Sequence, residues 1–178
     1  HAAEILDGGK TLFSQKDSFD LAAVRDLHLM TAKPFLYVFN ADEGVLTDDA
    51  RKAELRAVVA PADAVFLLGD LFEVWVGDDA LDEPGSFAAQ CCAVLQTPAP
   101  RRALFFLPGN RDFLVGNALL RRSGVTGLSD PTVLSFAGQR WLLSHGDALC
   151  LDDVAYQRFR RVARSAEWQQ QVLAQPLA

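Results

Sequence analysis

Asp70, Asn110 and His145 each stand just past an apolar run. Val65-Phe66-Leu67-Leu68 ends in Gly69-Asp70. Leu104-Phe105-Phe106-Leu107-Pro108 ends in Gly109-Asn110-Arg111-Asp112. Trp141-Leu142-Leu143-Ser144 ends in His145-Gly146-Asp147. A carboxylate can bridge two cations, an amide supplies a neutral oxygen, and an imidazole supplies a nitrogen. Such a set suits a two-metal centre for phosphoryl chemistry. Arg111, beside Asn110, offers a guanidinium for a two-pronged grip on phosphate. Each residue also has an ordinary explanation: a strand-end Asp, a Gly-Asn turn, a core histidine, a surface pair of Arg111 with Asp112. The shared layout of three apolar runs outweighs them. Ligands of open α/β sheets bind where strand ends meet on one edge.

The elements that must position these residues follow from periodicity and breakers. Strands are expected at 35–39, 64–68 and 103–107, and a hairpin over 133–136 and 140–143 about Ala137-Gly138. Helices are expected at 48–60 with Thr47 as cap, at about 86–97, over 115–123, and from Asp152 onward. The stretch from Ala22 to Met30 fits a short helix or a strand. Strands alternating with helices give an α/β class, and the hairpin makes its sheets mixed. Phe72, Trp75 and Trp141 are expected in the core, and Cys91 and Cys92 as small buried hydrophobes. Asp78 and Asp79 are expected to be solvated or to cap a helix. The last helix should turn Tyr156, Phe159 and Val162 to one face.

Half of the 178 residues are hydrophobic, enough for a sizeable core. The net charge of -6 disfavours nucleic acid as a partner. Basic clusters at Arg101-Arg102, Arg121-Arg122 and Arg158 to Arg164 could meet a phosphorylated ligand or an anionic membrane. Three cysteines without a C-x-x-C spacing argue against a disulfide framework and make a reducing cytoplasm the default. No apolar run is long enough to span a membrane, and no secretory signal opens the chain. A chain that opens on His1 and stops just after a helical stretch is expected to be a fragment or the ordered part of something longer.

The segments GDLFEVWVGDD (69–79), LPGNRDFLVG (107–116) and LSHGDALCLDDVAYQRFR (143–160) resemble the calcineurin-like metallophosphoesterases. The resemblance is closest to their UDP-2,3-diacylglucosamine diphosphatase branch, marked by Arg after Gly-Asn. It covers about 64–178 and implies a metallophosphoesterase-like α/β fold of mixed sheets flanked by helices. By position it makes Asp70 a bridging ligand, and Asn110 and His145 ligands of one ion. Arg111 and Asp153, with Asn110, would contact the substrate's polar head, with Tyr156 nearby. It implies two Mn2+ ions and hydrolysis of UDP-2,3-diacylglucosamine to lipid X and UMP in lipid A biosynthesis. It also implies a cytoplasmic enzyme held peripherally on the inner membrane of a Gram-negative bacterium. Asp26-Leu27-His28 would supply the D-x-H pair of the same metal site, although Arg25 stands where the family has Ser. The family's final G-H-x-H lies beyond this chain, so the fold is expected to be incomplete and the activity in doubt.

Residues 5–66 resemble a different family, the Obg-related P-loop ATPases, through VRDLHLMTAKPFLYVFNADE (24–43) and DDARKAELRAVVAPADAVF (48–66). That resemblance places Asn40 and Glu43 beside an adenine base, and Asp26 and His28 on a helix without metal. No G-x-x-x-x-G-K-[ST] is present, so nucleotide hydrolysis is not expected. The sequence therefore leaves two rival readings: an adenine-nucleotide-binding, translation-associated module, or an inactive composite with an ATPase-like segment 1–63 ahead of a truncated domain 64–178.

Overall fold

The computed structural model describes residues 2–8, 10, 12, 15, 17–27, 48–60, 62–96 and 103–175. The chain forms two compact units, His1–Asp49 and Ala50–Ala178. The first contains helix α1 (Ala2–Asp7) and a 3-10 segment at Leu21–Leu27, so the stretch from Ala22 is helical as far as Leu27, and 28–30 lie outside the described residues. The expected strand at 35–39, Thr47, Asn40, Glu43 and His28 lie outside the described residues.

Helix α2 (Asp49–Val59), all but its first residue in the second unit, leads to strand β1 (Ala64–Leu67). A 3-10 segment at Asp78–Asp82 precedes helix α3 (Phe87–Gln96), and strand β2 (Ala103–Phe106) follows. Helix α4 (Asn117–Ser123) then leads to the short strand β3 (Thr126–Gly127). These three strands form one parallel sheet in the order β1-β2-β3. In-register pairing sets Phe66 against Phe105, whose rings stack with centroids 4.7 Å apart. Strands β4 (Thr132–Phe136) and β5 (Gln139–Leu143) form a separate antiparallel pair. Helices α5 (Val154–Ala163) and α6 (Ala166–Leu173) end the described chain. The mixed α/β class read from the sequence holds. Among the described residues no helix is long and apolar enough to cross a membrane.

Parallel strands bring their carboxyl ends to one edge, so the residues after Leu67 and after Phe106 must lie together. Behind that edge a core of Phe72, Trp75, Leu81, Ala88, Cys92 and Leu119 closes under the loop that follows β1. The core placement of Phe72, Trp75 and Cys92 follows the sequence pattern. Trp141 does not: it is 39% exposed on the hairpin, because a two-stranded sheet with no described partner layer cannot cover both of its faces.

Of the two roles expected for Asp78, solvation or capping of a helix, the structure shows the second. Its carboxylate accepts from Trp75 Nε1 at 3.0 Å and from the backbone N–H groups of Gly116, Ala118 and Leu119 at 3.0, 2.7 and 3.0 Å. Gly116, the cap residue of α4, has no side chain, so an aspartate from a distant loop satisfies the orphan donors of the first turn. Gly124, in the left-handed region at φ 74°, closes the other end of α4.

Candidate metal centre at the strand ends

Three loops meet at the carboxyl edge of β1 and β2. The loop after β1 carries Gly69-Asp70, the loop after β2 carries Gly109-Asn110-Arg111, and the chain leaving β5 carries Ser144-His145. His145 Nε2 lies 2.9 Å from Asn110 Oδ1 and 3.7 Å from Asp70 Oδ1. Asp70, Asn110 and His145, drawn from three separate segments, therefore share one point.

Glycine makes this approach feasible. A Cβ on Gly69 would lie 2.6 Å from the Gly109 Cα and 2.6 Å from His145 Nδ1. A Cβ on Gly109 would lie 2.2 Å from Asp70 Oδ1 and 2.3 Å from the Asp70 nitrogen. Gly69 has φ 90°, and Asp70 itself has φ 52°, a region that aspartate tolerates better than most residues. The Gly before each acidic or amide residue is thus a clearance for backbone contact.

Asp112 ties the two loops together. It is fully buried, and its Oδ1 accepts from the Gly109 N–H at 2.7 Å while Oδ2 accepts from the Leu71 N–H at 2.7 Å. The surface ion pair considered for Arg111 and Asp112 is absent for that reason. Arg111 instead pairs with Glu73 and stands 3.7 Å from Asp70 Oδ2, with a side chain 46% exposed. Its backbone N–H donates to Asp70 Oδ1 at 3.0 Å. That takes up one lone pair of Asp70 and leaves others for a ligand.

The ring of His145 is oriented from behind. Nδ1 is 2.9 Å from the Leu68 carbonyl, which can only accept, so Nδ1 carries a hydrogen; in the tautomer with no second hydrogen, Nε2 presents its lone pair. Nε2, the Asn110 oxygen and the Asp70 oxygen are then three acceptors facing one another. A cation among them satisfies all three, and a backbone carbonyl behind the ring is the usual support of a metal-bound histidine. The chemistry of the donors therefore fits a divalent ion of the Mn2+ or Zn2+ kind. Among the described residues no three His, Cys, Asp or Glu side chains gather; this cluster has two of them and an amide. Asp26 lies in the 3-10 segment Leu21–Leu27 with its side chain outside what is described, and His28 lies outside the described residues.

Behind His145 runs a charged network that sequence reading missed. Asp130 Oδ1 accepts from Ser144 Oγ at 2.7 Å and from the His145 N–H at 3.3 Å. Arg160 donates through Nη2 to Asp130 Oδ2 at 3.1 Å and through Nε to Asp147 Oδ2 at 2.8 Å. Tyr156 donates its hydroxyl to Asp147 as well. Burial pushes Asp147 up, but the hydrogen bonds from Arg160 and Tyr156, with the charges of Arg160 and Arg164, outweigh it and hold the carboxyl below the usual aspartate value. Burial and then the Asp147 hydrogen bond push the Tyr156 hydroxyl up to about 12. Arg164 is lowered by burial, which outweighs the charge of Asp147. The signal available in the sequence was the i, i+4, i+8 spacing of Tyr156, Arg160 and Arg164 on one helical face. Phe159 and Val162, expected on one face with Tyr156, are 51% and 54% exposed while Tyr156 turns to Asp147. Arg160 and Arg164 are consequently committed to internal partners, not to a ligand or a membrane. Asp153 caps α5, accepting from the Tyr156 N–H at 2.9 Å, and makes no contact with the Asp70, Asn110 and His145 cluster.

No family model matches the chain. Curated proteins do. A UDP-2,3-diacylglucosamine hydrolase of Xanthomonas campestris pv. campestris (strain B100) is 45% identical over 156 residues, 87% of this chain and 58% of its own length. One of Chromobacterium violaceum is 52% identical over 155 residues, 87% of this chain and 60% of its own. One of Xanthomonas oryzae pv. oryzae (strain PXO99A) is 43% identical over 156 residues. The chain is homologous to the proteins of that name. It spans about three fifths of the length of these relatives. The matched stretch is longer than residues 64–178, so it reaches into the segment that the composite reading assigned to an ATPase.

Proposed function

We propose that this chain carries the strand-end half of a metal-dependent hydrolase that cleaves the pyrophosphate bond of UDP-2,3-diacylglucosamine, giving lipid X and UMP in lipid A biosynthesis. The observation that carries this reading is the meeting of three acceptors, Asp70 Oδ1, Asn110 Oδ1 and His145 Nε2, with the ring hydrogen already committed to the Leu68 carbonyl. The names of the homologues supply the substrate.

Asp70, Asn110 and His145 would hold divalent ions such as Mn2+. Bound divalent ions supply phosphoryl polarisation and a water acidic enough to attack at neutral pH. The chain's own residues do the rest. Arg111, half exposed beside the cluster, exchanges Glu73 for a substrate phosphate and grips two of its oxygens. The Leu68 carbonyl keeps the His145 lone pair aimed at the cluster. Asp153, exposed at the start of α5, meets the polar head of the substrate. Leu149, Leu151 and Val154, 76%, 72% and 55% exposed, are suited to a lipid substrate at the cytoplasmic surface of an inner membrane. No nucleic acid is required.

The test is release of UMP from UDP-2,3-diacylglucosamine by a protein extended to the relatives' full length, stripped of metal and then resupplied with Mn2+. Hydrolysis should depend on Mn2+ and vanish in Asp70→Ala and His145→Ala. Metal-independent hydrolysis, or none with Mn2+ present, refutes the proposal.

A further inference from the structure

Amphipathic helices usually bury their apolar stripe; α5 does the reverse. It turns Tyr156, Arg160 and Arg164 inward and leaves Phe159 and Val162 half exposed. Burying guanidinium groups is costly unless their donors are matched, so the partners reveal what the helix holds. Arg164 Nη2 donates to the Gly109 carbonyl at 2.9 Å, and its guanidinium lies 5.1 Å from the Phe113 ring centroid. Arg160, one turn earlier, holds Asp130, which accepts from the His145 N–H.

Both contacts fall on peptide groups attached directly to proposed metal donors. The Gly109 carbonyl shares a rigid peptide plane with the nitrogen and Cα of Asn110. The His145 N–H lies in the plane that carries its own Cα. Arg164 also stands 3.7 Å from Asp147 Oδ2, to which Arg160 donates. One helix face thus spans the two loops whose side chains must meet at 2.9 Å.

We infer that Arg164 and Arg160 are positioning residues that fix Asn110 relative to His145, Arg164 through the Gly109 carbonyl and Arg160 through Asp130. The inference rests on the metal reading above. Arg164 is the better probe. Without it, Asp147 keeps Arg160 and Tyr156, so no buried carboxylate is orphaned; loss of Arg160 would take the arginine donor from both Asp130 and Asp147.

The experiment is titration of the metal-free chain with Mn2+, following free Mn2+ by electron paramagnetic resonance, with melting of the metal-free protein measured in parallel. Arg164→Ala should weaken Mn2+ binding about 10-fold or more, the usual effect of removing a group that supports a ligand. Millimolar guanidinium should restore much of that loss by refilling the cavity. Arg164→Lys keeps the charge and loses the planar fork; it should weaken binding by less, and it carries the comparison if the alanine variant does not fold. Unchanged affinity in the folded variants overturns the positioning role and leaves the metal reading intact. A loss that tracks a lowered melting temperature and ignores guanidinium also overturns it. Absence of Mn2+ binding by the unsubstituted chain overturns both.

Discussion

Gly109→Ala isolates the close approach of the first two loops. The added methyl carbon would sit 2.2 Å from Asp70 Oδ1 and 2.3 Å from the Asp70 nitrogen, where ordinary contact begins at 3.4 Å. The shortfall is about 1 Å on both sides of Asp70. Rotating the carboxylate relieves the first clash but not the second, which is with backbone, so the loop after β1 must move away. A metal site tolerates ligand displacements of only about 0.2 Å, so the shift is several times larger than the centre can absorb. Overpacking of this kind costs about 1–3 kcal/mol in stability. Gly109 has no positive φ among the glycines that show one, so the effect is steric and not conformational. Urea unfolding and Mn2+ titration of the same samples are the assays. The expected outcome is a folded, moderately destabilised protein whose Mn2+ affinity falls by far more than its stability. A variant with the affinity and midpoint of the unsubstituted chain would show that Asp70 and Gly109 are not packed against each other, and the three-loop site would fall with that result.

Two further perturbations probe the scaffold. Asp78→Ala strands three backbone donors at the start of α4 and the Trp75 indole, so urea unfolding should show a loss of about 2 kcal/mol or more; a loss within error would mean the cap contributes nothing. Tyr156 has its folded-state pKa raised from 10.0 to about 12, so its contribution is fully present below pH 10 and is lost as pH rises through about 12. Tyr156→Phe should therefore be less stable than the parent near pH 8, by about 1.5–3 kcal/mol for a hydrogen bond to a carboxylate, and the gap should close toward pH 12. A gap that stays constant across that window contradicts the Tyr156 to Asp147 hydrogen bond.

Strand and helix positions in the second unit were legible because they depend on local patterns. Apolar runs before Gly69, Gly109 and Ser144 marked where strands end, and Pro, Gly and capping residues marked the helices. The meeting of Asp70 with Asn110 was legible too, since parallel pairing of two such runs leaves their ends at one edge. The inward polar face of α5 was not, because hydrophobic periodicity favours Phe159 and Val162 and says nothing of buried carboxylates waiting on a neighbouring loop. Which helix Asp78 caps, and that Asp112 is buried between two loops, were not legible for a related reason. An aspartate followed by loop residues looks solvated until a distant segment presents backbone N–H groups to it.

The amino-acid order by itself determined which residue types stand at the strand ends, and hence the acceptor chemistry available there. Only the folded chain decided that His145 joins Asp70 and Asn110, that Leu68 fixes a hydrogen of the imidazole, and that Arg160 and Arg164 turn inward to the loops. Residue type and local pattern are set by neighbours in the chain. Which charge finds which partner depends on contacts between residues up to 77 positions apart, and such contacts exist only once the elements have packed.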